Sequence, residues 1–407
     1  MTTDRSSFQV KGTQVNLVTT IGRTNSPPAR FLAKGVCWLP LPLGANPGQS
    51  PYGDYMTNNY KRVWQADLDR MRSMGVNTVR CFAGSDFASS QWRDMMDYAW
   101  NCGTDPIYFF WYSFIPSGDL VNNQDKYAQV YKIITQNTAA HPATIGYCIG
   151  NELNHRQAGF AGAINKIAGA IKSIVGVSGN KLVTTALEDD GATLPSVSEL
   201  LNSNTSLDII SLNVYRGREF GGSLGNANNI FTNYRTVAGT KALPLLLSEW
   251  GTPYSTRQDP DNSTKISTNV NDKLVGLDEV QFNPDSSSIT SQAAFIEAQW
   301  NNILQEYNST ESVGFGGTLF LWSDNWSSVS PDDQHNADAG GYSGGAFAGG
   351  YWDNEWFGIY ALCRSSEATY NAVPGKSGYY TCPAKLNTYE PQPRPVVTTL
   401  TKLWKKS

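Results

Sequence analysis

The chain has 407 residues, 40% of them hydrophobic and 16% charged, and 31 Lys and Arg against 35 Asp and Glu leave a net charge of −4. This is enough apolar material for a large core in one or two domains. No basic run is longer than the terminal "KLWKK" and no run approaches the ~20 apolar residues of a membrane span, so neither a nucleic-acid surface nor a transmembrane helix is expected.

Taken in chain order, the first 30 residues are polar and lack the apolar core of a secretory signal. The expectation is a secreted or extracellular protein whose signal has been removed, with a cytoplasmic location as the alternative. Short apolar runs then alternate with segments of helical period. The runs are "FLAKGVCW" from Phe31, "NTVRCF" from Asn77, "PIYFFWYS" from Pro106 and "IGYCIGNE" from Ile145. They continue with "KLVTTALE" from Lys181, "DIISLNVY" from Asp208, "LPLLLSEWG" from Leu243 and "GGTLFLWSDNW" from Gly316. Their length and their Val, Ile, Leu, Phe and Tyr content suit strands buried on both faces.

Between the runs lie "VWQADLDRMRSMG", with Gly75 as a C-terminal cap, "SSQWRDMMDYAWNCG", and "QDKYAQVYKIITQNTAAHP", which stops before Pro142. "AGFAGAINKIAGAIKSIVG", "TLPSVSELLNS", "NNIFTNYRTVAG", "SQAAFIEAQWNNILQEY" and "PVVTTLTKLWKK" complete the set. Eight strands each followed by a helix predict an α/β fold, one (β/α)8 barrel over residues 1–407. The alternative, a doubly wound sheet with a second domain, lacks any phosphate-binding turn. Two insertions, about 252–290 after the seventh strand and about 327–391 after the eighth, follow strand C-termini, the face where barrel active sites are built.

Two of the predicted strands end in a glutamate, Glu152 and Glu249. A buried carboxylate without a partner is costly, so a pair at the mouth of one barrel points to shared chemistry. Two carboxylates facing each other suit glycoside hydrolysis, one giving a proton and the other attacking or activating water. At the ~5–5.5 Å of a retaining enzyme their repulsion is on the order of 3 kcal/mol, which lifts one of them to a pKa of ~6–6.5. For each residue alone, the simpler role is a helix cap or an ion pair with an Arg.

Other chemistries lack their residues. Three histidines, with no CxxC or HExxH, argue against a metal, and neither GxGxxG nor GxxxxGK[ST] is present, so no cofactor is expected. Cys37, Cys81 and Cys148 fall in apolar runs and read as core residues, whereas Cys363 and Cys382 are candidates for a disulfide. Twelve Trp, 20 Tyr and 16 Phe, many in Gly-rich loops such as "GGYSGGAFAGGYWDNEWFGIY", suit the apolar faces of sugars, although some rings simply anchor loops to the body.

The "GNE" at the end of the fourth run and "SEWG" at the end of the seventh resemble the retaining (β/α)8 glycosidases of clan A. The resemblance implies Glu152 as acid/base, Glu249 as nucleophile, and Asn151 as the partner of the sugar 2-hydroxyl. It further implies Arg80 and Tyr215 as supports of the nucleophile and Trp322 as the sugar platform. "FLAKGVCWLP", "DLDRMRSMGVNTVRCF" and the late "WFGIY" are similar, more narrowly, to segments of fungal β-1,3-glucanosyltransferases, with Trp250 in place of that family's Tyr. This similarity implies a β-1,3-glucan substrate and transfer to water or to a second chain. Trp38, Tyr254, Asp324 and Trp326, at or beyond strand ends, are further candidates for lining subsites. The expected partner is thus a poly- or oligosaccharide. The rival readings are a hydrolase of β-1,4-mannan or β-1,4-glucan, and a non-catalytic carbohydrate-binding barrel.

Overall fold

The structure, a computed structural model, describes residues 4–40, 54–82, 92–178, 180–221, 229–254, 292–325, 327–328, 352–361 and 391–406. Most of the two expected insertions, Cys363, Cys382 and Trp326 lie outside the described residues.

The chain starts with an antiparallel meander of β1 (Arg5–Lys11), β2 (Gln14–Ile21), β3 (Thr24–Asn25) and β4 (Ala29–Arg30), with β1, β3 and β4 all pairing with β2. The barrel strands follow: β5 (Ala33–Trp38), β6 (Thr78–Phe82), β7 (Tyr108–Tyr112), β8 (Thr144–Asn151), β9 (Leu182–Glu188), β10 (Ile210–Asn213), β11 (Leu245–Trp250) and β12 (Gly314–Leu319). Each pairs in parallel with the next, and β12 pairs with β5 to close the ring. Among the described residues each is followed by one α-helix: α1 (Lys61–Met74), α2 (Arg93–Trp100), α3 (Gln124–Thr138), α4 (Phe160–Ser178), α5 (Thr193–Asn202), α6 (Ile230–Ala238), α7 (Gln292–Asn308) and α8 (Pro395–Trp404). A short pair, β13 (Tyr360–Ala361) with β14 (Gln392–Pro393), lies beyond the last barrel strand. The fold is therefore the expected (β/α)8 barrel.

Local chemistry places the boundaries. Gly75 ends α1 in the left-handed conformation, φ 89°, and its N–H donates to the carbonyls of Met71 and Arg72. Gly316, φ 115°, lets β12 close against β5, since a Cβ there would lie 2.2 Å from the Ala33 carbonyl oxygen. The strands carry the core on both faces, as their continuous apolar runs require.

The N-terminal meander was not anticipated. It packs against the N-terminal end of the barrel, where Phe8 donates its N–H to the Asn180 carbonyl and Lys181 donates to Ser6. Phe8 and Phe31 meet the Tyr108 ring edge-on below the strands. The C-terminal ends of the strands face the other way and carry the two glutamates.

Candidate active site

Glu152 follows the last residue of β8, and Glu249 is the fifth residue of β11. Between them stands Arg80 of β6, 2% exposed. It donates from Nη1 to Glu249 Oε1 at 2.6 Å and from Nη2 to Asn151 Oδ1 at 2.6 Å. The Tyr112 ring lies 4.5 Å from its guanidinium, a cation–π contact. Tyr215 donates its hydroxyl to Glu249 Oε2 at 3.0 Å, so each oxygen of Glu249 has its own donor. Burial, and next the Glu249 charge, raise the Tyr215 phenol well above its ordinary pKa and keep it a donor.

Asn213, the last residue of β10, ties the site together and was not anticipated from the sequence. Its Nδ2 donates to Glu152 Oε1 at 2.9 Å and to Asn151 Oδ1 at 3.0 Å. Its Oδ1 accepts from Ser248 Oγ at 2.7 Å. Consecutive residues of a strand point to opposite faces, yet Asn151 and Glu152 share this one amide. The backbone resolves the conflict by turning at Glu152, whose φ of 46° lies in the left-handed region that non-glycine residues seldom adopt. Irregular register also marks the site: pairing shifts between Cys148 and Asn151 of β8 and between Leu212 and Asn213 of β10, so that Asn213 faces Glu249.

The two carboxylates therefore sit in unlike surroundings. Glu249 has a cation and a phenol, whereas Glu152 accepts from a neutral amide. Burial first, then the Glu249 charge, push Glu152 up from 4.5 to about 7, against the pull of the Asn213 hydrogen bond. Desolvation, and not the carboxylate repulsion expected from the sequence, is the larger cause.

Several expected residues lie elsewhere. Trp322 is fully buried with its ring 4.5 Å from Tyr360, so it presents no face to a sugar. The chain leaves β12 at Leu319, and Trp322 lies beneath the segment that returns at Gly358–Tyr360. The half-buried rings on the Glu249 side are Trp352, 4.8 Å from Tyr215, and Phe320 of the same aromatic cluster. Trp38 is also turned inward and donates its indole N–H to buried Asp67 of α1 at 3.1 Å. Asp324 is held by both Nη atoms of Arg394, at 2.7 and 2.9 Å, and Tyr254 lies 4.5 Å under the same guanidinium. These four are structural anchors in this fold, whereas Asn151, Glu152, Arg80, Tyr215 and Glu249 converge. Among the described residues, no cluster of His, Cys, Asp and Glu could hold a metal, and no helix is long and apolar enough to cross a membrane.

Solved structures share this fold. Similar ones include the β-D-glucuronidase of Dictyoglomus thermophilum (TM-score 0.55, 11% identity, 99% of this chain and 54% of that one). Others are a GH2 β-galacturonidase from Eisenbergiella tayi bound to galacturonate (0.55, 12%, 99% and 55%) and the β-glucuronidase of Ruminococcus gnavus (0.55, 12%, 98% and 53%). This chain spans about half the length of each. No family model and no curated protein matches it. The likeness is one of fold: this is a (β/α)8 barrel.

Proposed function

We propose that the chain is a retaining β-glycosidase working by double displacement, with Glu152 as acid/base and Glu249 as nucleophile. The observation that carries this reading is the unequal setting of two adjacent carboxylates, one held by Arg80 and Tyr215 and the other lifted to about 7. In the first step Glu152 gives its proton to the glycosidic oxygen as Glu249 attacks the anomeric carbon, so the leaving group departs as an alcohol. The resulting ester removes the negative charge of Glu249. With that repulsion gone, Glu152 is left a carboxylate suited to take a proton from the incoming hydroxyl. Attack of that hydroxyl on the anomeric carbon releases Glu249. Arg80 and Asn213 both occupy Asn151 Oδ1, which leaves the Asn151 amide N–H groups to donate to a sugar hydroxyl.

For the substrate we favour a β-1,3-glucan, on the strength of the "GVCW", "GNE", "SEWG" and "WFGIY" segments, with water or a second glucan chain as acceptor. Trp352 and Phe320 supply the sugar-stacking faces in place of Trp322. The test is to incubate the protein with a short β-1,3-gluco-oligosaccharide and follow product sizes by mass spectrometry. Longer products indicate transfer, and shorter ones alone indicate hydrolysis. No reaction passes the assay to β-1,4-mannan, β-1,4-glucan and an aryl β-glucuronide. Glu249→Ala should abolish turnover on whichever substrate is cleaved, with azide restoring it. Substantial turnover by Glu249→Ala without azide would remove the mechanism.

A further inference from the structure

We infer that Glu188 recognises the sugar on the leaving-group side of the cleaved bond, its carboxylate accepting hydrogen bonds from hydroxyls of that sugar. This inference rests on the catalytic reading and extends it, because the same position receives the incoming acceptor in the second step. Glu188 is the last residue of β9 and pairs in unshifted register with Asn213 of β10. Side chains two residues apart on a strand share a face, and register partners on parallel strands point the same way. One step earlier in this row the hydroxyls of Thr184 and Ser211 meet at 2.8 Å, so the two strands do present one common face. Asn213 turns its amide on that face to Glu152, and Glu188 therefore turns its carboxylate into the same mouth, where it is exposed. Its charge acts on Glu152 and on His155.

The residues around it hold it in place. Asp189 is buried in a two-point ion pair with Arg216. Asp190 accepts from Arg156 Nη2 at 2.5 Å and from the Ala192 N–H at 2.7 Å. Asp190 also lies 3.5 Å from His155 Nε2, while His155 Nδ1 meets Ser196 Oγ of α5 at 2.8 Å. His155 and Arg156 come shortly after Glu152, so these contacts pin the segment after β8 to the segment after β9. Glu188 is thereby fixed relative to the acid/base. The glycosidic oxygen takes its proton from Glu152, which puts the departing sugar on the Glu152 side. β9 neighbours β8 and is separated from β11 by β10, whereas Trp352 and Phe320 belong to the Tyr215 cluster on the Glu249 side. The two ends of the cleft are thus unlike: rings stack a sugar face beside the nucleophile, and a carboxylate takes hydroxyls beside the acid. An ionised carboxylate accepts through both oxygens, and such charge-assisted bonds are the strong ones.

The test compares two leaving groups on one donor: a short β-1,3-gluco-oligosaccharide, and the nitrophenyl β-glycoside of the same sugar, read by nitrophenolate release. Should another glycan of the panel be the one cleaved, the same pair is made from it. Glu188→Gln and Glu188→Ala should lower kcat/KM on the oligosaccharide by ~10-fold, the loss of a hydrogen bond to a charged group, chiefly through KM. Nitrophenolate release, which leaves that position without a sugar, should stay at the wild-type rate and shows that the variants are folded. The groups acting on the Glu152 proton are Glu249, the Asn213 amide, Glu188 and Arg80. Removing the Glu188 charge should therefore move the alkaline limb of oligosaccharide cleavage to lower pH. Equal effects on both substrates, or wild-type kinetics on the oligosaccharide, would overturn the inference while leaving the two glutamates their roles. Turnover that survives Glu249→Ala without azide would instead overturn the catalytic reading, and this inference with it.

Discussion

The raised pKa of Glu152 commits the protein to two linked pH dependences. The shift from 4.5 to about 7 corresponds to about 3 kcal/mol at about 1.4 kcal/mol per unit. Because the folded value lies above the unfolded one, the ionised form is disfavoured only in the folded state. Glu152 therefore costs no stability below pH 4.5, costs progressively more from there to about 7, and carries the full penalty above it. Urea unfolding of wild type and Glu152→Gln should coincide near pH 4 and diverge by up to about 3 kcal/mol near pH 8, with the variant the more stable. The same proton sets the alkaline limb of kcat/KM, which should fall through about pH 7 on a substrate whose leaving group needs protonation.

Asn213 supplies the decisive variant. Its amide favours the charged form of Glu152, so Asn213→Ala should move the alkaline limb to higher pH. Glu249→Gln, which removes the neighbouring charge, should lower the Glu152 titration midpoint, read by carboxyl carbon NMR so that the readout does not depend on turnover. An alkaline limb unmoved in Asn213→Ala, together with superimposable stability curves for wild type and Glu152→Gln, would refute the assignment of the proton to Glu152.

Arg80→Met should lower kcat and cost about 3–5 kcal/mol of stability in urea titration, because it strands the buried Glu249 carboxylate. Trp352→Ala should raise KM about 5–10-fold, a loss of about 1 kcal/mol of ring contact, with a smaller change in kcat, whereas Trp322→Phe should leave KM unchanged. Asp324→Asn should destabilise the fold by about 3–5 kcal/mol, measured by thermal and urea unfolding, because Arg394 loses its buried counter-charge; catalytic constants of the folded fraction should be unaffected.

What could be read from the residues alone follows a physical division. The eight strands are legible because a strand buried on both faces must be apolar throughout, and Glu152 and Glu249 stand out because each ends such a run. Arg80 is legible by the same contrast, a cation inside "NTVRCF". Asn213 has no such contrast: a neutral amide in "SLNVY" reads as one more strand residue until β8 and β10 are side by side. The meander escaped notice because its period-2 pattern is weak, with Phe8 and Val15 among its few deeply buried apolar side chains.

Trp322 was misplaced for a different reason. Strand alternation orients a side chain only while the strand continues, and β12 stops at Leu319. Past that point the ring's direction depends on Tyr360, almost forty residues later in the chain, which no local period can reveal. The same return segment brings Phe357 against Tyr215 at 5.8 Å, with Trp352 beside it. One segment thus removes Trp322 from the mouth of the barrel and supplies Trp352 on the Glu249 side. An aromatic face stands beside the Tyr215 phenol, and its position in the sequence is set by the segment that delivers it. A swap of ring positions therefore leaves the two glutamates, Arg80 and Asn213 undisturbed, because these four are held in or directly after barrel strands.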